Sequence, residues 1–188
     1  MPLGAREALR NGTIMRIVLL NNTNNILFST ARHLRDQGHD VTLFLMDNEM
    51  ADGPHFHPSC DTFDLDYQNY TREVPWGTAS RFSSYDMDTV ARDLEPFDFF
   101  VGSGSAPAFV ARAGRVLDVF IPFGGDLCED AFRPPKFDRR SLRFLVAYPY
   151  WQRRGIVESR AVFADISPSY VEPALAKLGY KGKRVFAS

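Results

Sequence analysis

The chain has 188 residues and a mass of 21.3 kDa, with 45% hydrophobic, 24% charged and 13% aromatic residues and a formal charge of −1. These proportions exclude a disordered chain, a collagen-like repeat and a disulfide-dense mini-protein, and the length suits one domain with a sizeable core. No window approaches the roughly 18 uninterrupted apolar residues of a membrane span. Residues 1–14 hold no apolar stretch of the signal-peptide kind, and Cys60 and Cys128 read as reduced thiols of a cytoplasmic protein.

Residues 1–14 have no hydrophobic period and read as a tail, so the folded domain is expected over 15–188. Residues 15–20 form an apolar, β-branched run that stops at five polar residues, as a buried strand ending in a loop does. Leu27, Ala31 and Leu34 then recur at helical spacing, behind an asparagine suited to the N-cap and ahead of Gly38, which suits a left-handed C-cap. A second strand is expected over 40–45. The connection is too long for a hairpin, so the pair predicts a parallel βαβ unit with a right-handed crossover.

An acidic, aromatic region follows, with a further strand expected at 62–67. Met87, Val90, Ala91 and Leu94 mark one helical face behind capping candidates Ser84 and Asp86, and Pro96 closes it. Residues 98–101 read as a strand, and Pro107 lies in the first turn of a helix that ends at Gly114. Another strand is expected over 119–123. Val157, Ala161 and Ala164 predict a helix leading into Asp165 and Ile166; Ser167 and Pro168 open the next, with Val171, Ala174, Leu175 and Leu178 on one face and Gly179 as its stop. A final strand falls at 184–187. This alternation predicts an α/β fold class: one Rossmann-like, doubly wound, mostly parallel sheet with helices on both faces.

In such a sheet all strand carboxyl ends lie on one edge, where ligands bind at the switch point of strand order. The residues expected there are Asn21, Asn22, Thr23, Asn24 and Asn25, then Asp47 and Asn48, then Ser103, Gly104 and Ser105, then Gly124, Gly125 and Asp126, and finally 167–170. Turn and capping chemistry alone enriches βα loops in such residues, so a purely structural reading stands beside the functional one. The first loop lacks both Gly-x-Gly-x-x-Gly and the P-loop pattern, which argues against a nicotinamide enzyme and a P-loop NTPase. Asparagine amides donate and accept together, as recognition of a hydroxyl-rich molecule requires. Asp126 is the carboxylate on that edge able to accept from, or deprotonate, a substrate hydroxyl; a helix-capping or turn role is its alternative.

Charge is unevenly spread. Residues 1–132 carry 10 basic and 19 acidic residues, whereas 133–160 carry 8 and 2. The basic stretch, including Arg139, Arg140, Arg143, Arg153 and Arg154, is interleaved with Phe144, Tyr148, Tyr150 and Trp151, which suits an anionic membrane surface or a phosphorylated ligand; a solvated connection beside a core helix is the other reading. Asp64 and Asp66, and His55, His57 and Cys60, form incomplete metal sets, so no metal is expected. All four histidines precede residue 58, which leaves no Ser-His-Asp hydrolase arrangement, and the net charge argues against nucleic acid as partner.

The order of elements, Gly124-Gly125-Asp126 after the fifth strand, and the run Ala164-Asp165-Ile166-Ser167 leading to Leu178-Gly179 resemble the N-terminal domain of a GT-B glycosyltransferase of the family 4-like type, over about 15–188. The resemblance implies a hexosyltransferase-like enzyme of polysaccharide biosynthesis. This domain would bind a sugar or glycolipid acceptor, with Asp126 as catalytic residue and Asn21, Asn22, Thr23, Asn24, Ser103, Gly104, Ser105, Gly124 and Gly125 around the acceptor. It implies no cofactor in this domain, a nucleotide-sugar donor on a C-terminal domain beyond Ser188, and an inactive fragment without that partner, placed in the cytoplasm or at the inner face of the membrane. The alternative is a non-catalytic Rossmann-like module that binds a metabolite or docks a protein.

Overall fold

The computed structural model describes residues 14–47, 57–60, 66–132 and 142–187, with the backbone alone at 60 and 142–146. The strands are β1 (Arg16–Leu20), β2 (Asp40–Met46), β3 (Thr71–Val74), β4 (Phe99–Gly102), β5 (Val119–Phe120), β6 (Ala161–Ala164) and β7 (Lys183–Phe186). The helices are α1 (Ile26–Asp36), α2 (Met87–Leu94), α3 (Ala106–Arg112), α4 (Gly125–Cys128), α5 (Leu142–Glu158) and α6 (Pro168–Leu178).

The seven strands among the described residues join one sheet in the order β3-β2-β1-β4-β5-β6-β7, and each of these pairings is parallel. This is a Rossmann-like α/β fold. Its strand order reverses between β1 and β4, where Leu20 is paired with Phe44 on one side and Gly102 on the other. Because the strands are parallel, the loops that follow them share one edge, and the crevice lies where the chain departs in opposite directions.

The period of two along β1 divides the core. Val18 and Leu20 join the cluster that contains Val90 and Leu94 of α2, Phe109 of α3, Ile156 of α5 and Leu175 of α6. Ile17 and Leu19 join the opposite cluster, with Leu27, Phe28 and Ala31 of α1. Residues buried on both faces must be apolar throughout, which is why β1 reads as an unbroken hydrophobic run. Asp86 caps α2 by accepting from the Asp88 N–H, and Gly179 ends α6 in the left-handed conformation at φ 72°.

Three sequence expectations are corrected. Residues 161–164 form strand β6 rather than helix: α5 stops at Glu158, and Val162 is held between Phe120 of β5 and Arg184 of β7. The strand beside β2 is Thr71–Val74; of 62–67, only Asp66 and Tyr67 lie within the described residues, and Tyr67 opens a 3-10 turn. The fifth strand ends at Phe120, before Pro122, which has no N–H for a ladder, although the Ile121 N–H still donates to Gly102 O. No helix among the described residues is long and apolar enough to cross a membrane.

Candidate functional site

The loop after β1 adopts an unusual backbone. Asn21, Asn24 and Asn25 all have positive φ, at 71°, 54° and 58°, with no glycine among them. Asparagine tolerates this region better than other non-glycine residues, yet glycine would adopt it with less strain. Two of the loop's side chains explain part of that choice. Asn22 is fully buried; its Oδ1 accepts from the Phe28 N–H at 2.8 Å and its Nδ2 donates to Asn25 Oδ1 at 2.6 Å, which closes the first turn of α1. Asn21 is buried against Gly104, where an added Cβ would fall 1.9 Å from Asn21 Nδ2. Asn24 differs: it is exposed, and no interaction of its side chain is found among the described residues.

The turn after β4 joins this loop directly. Ser103 Oγ donates to Asn21 O at 2.7 Å, and Ser105 Oγ donates to Gly77 O at 2.6 Å. Asp126, in the first turn of α4, receives the Gly104 N–H on Oδ2 at 2.9 Å and the N–H groups of Phe123 and Leu127 on Oδ1, each at 2.9 Å. Burial pushes its carboxyl up to about 6, while those backbone donors act in the opposite direction. Both oxygens are therefore engaged in joining two adjacent βα turns. Tyr170, 52% exposed at the start of α6, borders Gly124, where an added Cβ would lie 3.5 Å from the ring.

The structure thus brings the segments at 21–25, 103–105 and 124–126 together, with Tyr170 beside them. Asn21, Asn22, Ser103, Ser105 and Asp126 are buried and hydrogen-bonded within the protein, whereas Thr23, Asn24, Gly104 and Gly125 retain access to solvent. The sequence reading missed Gln152. It is fully buried on α5, donating Nε2–H to Gly104 O at 2.8 Å and to Asp126 O at 3.2 Å while Oε1 accepts from the Ala108 N–H. A polar residue in an otherwise apolar helical face was its only signal, and Trp151 and Arg153 on either side obscured it.

The basic stretch divides. Arg139 and Arg140 lie outside the described residues, and Arg143 is described by its backbone alone. Arg154 pairs with Glu158 at 2.8 Å and lies over the Trp151 ring, whereas Arg153 donates Nε–H to Ala131 O and lies over Phe132. Among the described residues no group of three His, Cys, Asp or Glu side chains is placed to hold a metal ion.

No protein-family model matches the chain, and no curated protein sequence matches it significantly. Among solved structures, one from the crystal structures of pinoresinol-lariciresinol and phenylcoumaran benzylic ether reductases matches at a TM-score of 0.43 and 12% identity, over 80% of this chain and 49% of that one. The oxidoreductase ylbE from Lactococcus lactis matches at a TM-score of 0.39 and 8% identity, over 90% of this chain and 89% of that one. The chain spans about half the length of the first of these structures. Both are reductase or oxidoreductase structures. The glycosyltransferase expectation is corrected accordingly, with the GT-B family, the sugar-acceptor and nucleotide-sugar function, the hexosyltransferase activity and the polysaccharide pathway. The expectation that no cofactor belongs to this domain is withdrawn on the same finding.

The turn after β1 does not fit a dinucleotide pyrophosphate seated on the α1 N-terminus. That mode needs free N–H groups and glycines that let the phosphate approach. Here Asn22 Oδ1 already takes the Phe28 N–H, and an Asn21 side chain fills the space beside Gly104. The carboxylate that follows β2 is also engaged: Asp47 accepts from Thr78 N at 2.6 Å, from Thr78 Oγ1 at 2.5 Å and from the Tyr85 hydroxyl, and pairs with Arg81 at 3.4 Å. The hydroxyl of a ribose would have to displace these contacts.

Proposed function

We propose that this protein is a Rossmann-like module that binds a small, hydroxyl-bearing polar metabolite, without transforming it, at the sheet edge between the 21–25 loop and the Gly104 turn. Asn24 carries the proposal. It sits at the strand-order switch, holds a left-handed backbone that glycine would adopt more easily, and has an exposed amide that no side chain or backbone group among the described residues engages. Backbone strain retained beside an unengaged donor and acceptor is what a preorganised recognition group requires. Thr23 and the backbone of Gly125 supply further polar groups on the same rim, and the Tyr170 ring supplies an apolar wall.

A binding role fits the chemistry of this edge better than catalysis. Asp126, the buried carboxylate on this edge among the described residues, has both oxygens occupied by backbone donors, so it positions the turns rather than meeting a ligand. We place the protein in the cytoplasm, a compartment that suits the free Cys128 thiol.

The test is a thermal-shift and NMR titration against free sugars, polyols, nucleosides, and NADP+ and NADPH, repeated with Asn24→Gly. A ligand that stabilises the protein and perturbs the 21–25 and 103–105 amides, with at least about a tenfold weaker Kd in the variant, supports the reading. Equal binding by the variant, or perturbations confined to another part of the sheet, would overturn it.

A further inference from the structure

A second cavity lies away from the crevice. Its volume is about 380 Å³, and it is lined by Phe132, Arg153 and Val157 on one side and Lys177 and Leu178 on the other. Lys177 lies in the last turn of α6, whose N-terminus at Pro168 stands at the ligand-binding edge of the sheet. Nine residues of helix put Lys177 on the order of 14 Å further along that axis.

Two cations share this cavity. Lys177 Nζ stands 4.3 Å from the Phe132 ring centroid, and Arg153 Cζ stands 5.9 Å from the same centroid. A lysine in the last turn of a helix is favoured by the helix dipole without any ligand. The dipole does not account for its placement over the ring that also carries Arg153. Among the described residues neither cation forms an ion pair: Arg153 uses Nε–H on Ala131 O, which leaves its terminal N–H groups, and Lys177 has the ring contact. The ring face attracts cations through its quadrupole but supplies no net charge to offset two of them. Arg154, one residue away, is paired with Glu158, whereas no described carboxylate pairs with Arg153.

We infer that this cavity binds a phosphomonoester carrying a small apolar group. A phosphomonoester bears nearly two negative charges at neutral pH and offers three acceptor oxygens, which matches one guanidinium and one ammonium; a single carboxylate would offset only one of them. Phe132, Val157 and Leu178 supply apolar wall for the organic part, and a volume of this size accommodates a ligand about as large as an aryl phosphate. This inference is independent of the metabolite crevice, because none of its residues lies on that rim.

The experiment titrates the full chain with phenyl phosphate and with inorganic phosphate by calorimetry and NMR, using Lys177→Gln, Lys177→Arg and Phe132→Leu as variants. Saturable phenyl phosphate binding is expected, with at least about a tenfold loss in K177Q, retention in K177R, and a greater loss for phenyl phosphate than for inorganic phosphate in F132L. Lys177 is exposed, so K177Q should keep the fold; its amide spectrum checks this. A second arm uses phosphatidic acid vesicles against neutral vesicles. Vesicle binding that K177Q abolishes and phenyl phosphate competes identifies a lipid headgroup as the source, and its absence alongside phenyl phosphate binding identifies a soluble one. No saturable binding of either probe, or binding unchanged in K177Q, would overturn the inference.

Discussion

The Asp126 carboxylate accepts the Gly104 N–H at 2.9 Å, and this bond ties the turn after β4 to the turn after β5 across two adjacent strands. Gln152 closes the same link from α5 by donating to Gly104 O and to Asp126 O. The crevice rim is therefore built on a buried polar bracket that reaches three elements, and its stability should depend on every partner being satisfied.

Stability should vary with pH through Asp126. Its carboxyl is raised to about 6 in the folded protein by burial, against about 3.9 in an unfolded chain. A folded-state value above the unfolded one means that the folded protein holds the proton more tightly. The associated stabilisation is therefore full below about pH 4, falls as pH rises to about 6 and is absent above it; the size is on the order of 3 kcal/mol. Urea denaturation between pH 3.5 and 8 should show this decline, and Asp126→Asn should remove that part of the profile. A profile that rises over the same interval in the wild-type protein alone would contradict the assignment.

Gln152→Leu should destabilise by about 1–3 kcal/mol, because it leaves the buried Asp126 carbonyl without the Gln152 amide and removes the same donor from the Gly104 carbonyl. In a double-mutant cycle with Asp126→Asn, the two losses should be less than additive, since both remove support from the same Gly104 turn. Full additivity in chemical denaturation would show that the two side chains act separately.

Gly155→Ala should be costly although alanine is the better helix former. The added Cβ would fall 2.0 Å from Pro107 O, so α5 must move off α3. Overpacking of this kind typically costs about 1–3 kcal/mol, and backbone against backbone belongs at the upper end. A fall in Tm is expected, together with NMR perturbation of Gln152 and the Gly104 turn; a raised Tm would mean that the helices separate without penalty.

Asn24→Gly should have the opposite sign. Glycine relieves a φ of 54°, for a gain of up to about 1 kcal/mol offset in part by its greater freedom in the unfolded chain. Denaturation should find the variant at least as stable as the parent, even as metabolite binding weakens. Clear destabilisation would assign Asn24 a structural role instead.

Hydrophobic spacing carried much of the architecture. The apolar run of β1, the α1 face at Leu27 and Ala31 and the stop at Gly179 are local patterns, and each survives in the structure because its neighbours bury the face it predicts. Parallel strands then bring the 21–25, 103–105 and 124–126 segments to one edge as a matter of topology. Spacing failed at Ala161 and Ala164, where a period that suits a helix was overruled by open hydrogen-bonding positions between β5 and β7.

What the amino-acid order determined alone was a set of elements, their buried faces and the family of loops that would meet. The roles of those loop residues arose only in three dimensions. Asn22 and Asp126 read as groups available to a ligand until the Phe28 and Gly104 N–H groups came within reach, and Arg153 and Arg154 read as equivalent until one met Phe132 and the other Glu158. A hydrophobic period depends on neighbours a few residues away, which the chain itself records. Whether a polar side chain is engaged or free depends on partners that only the packing of distant segments supplies.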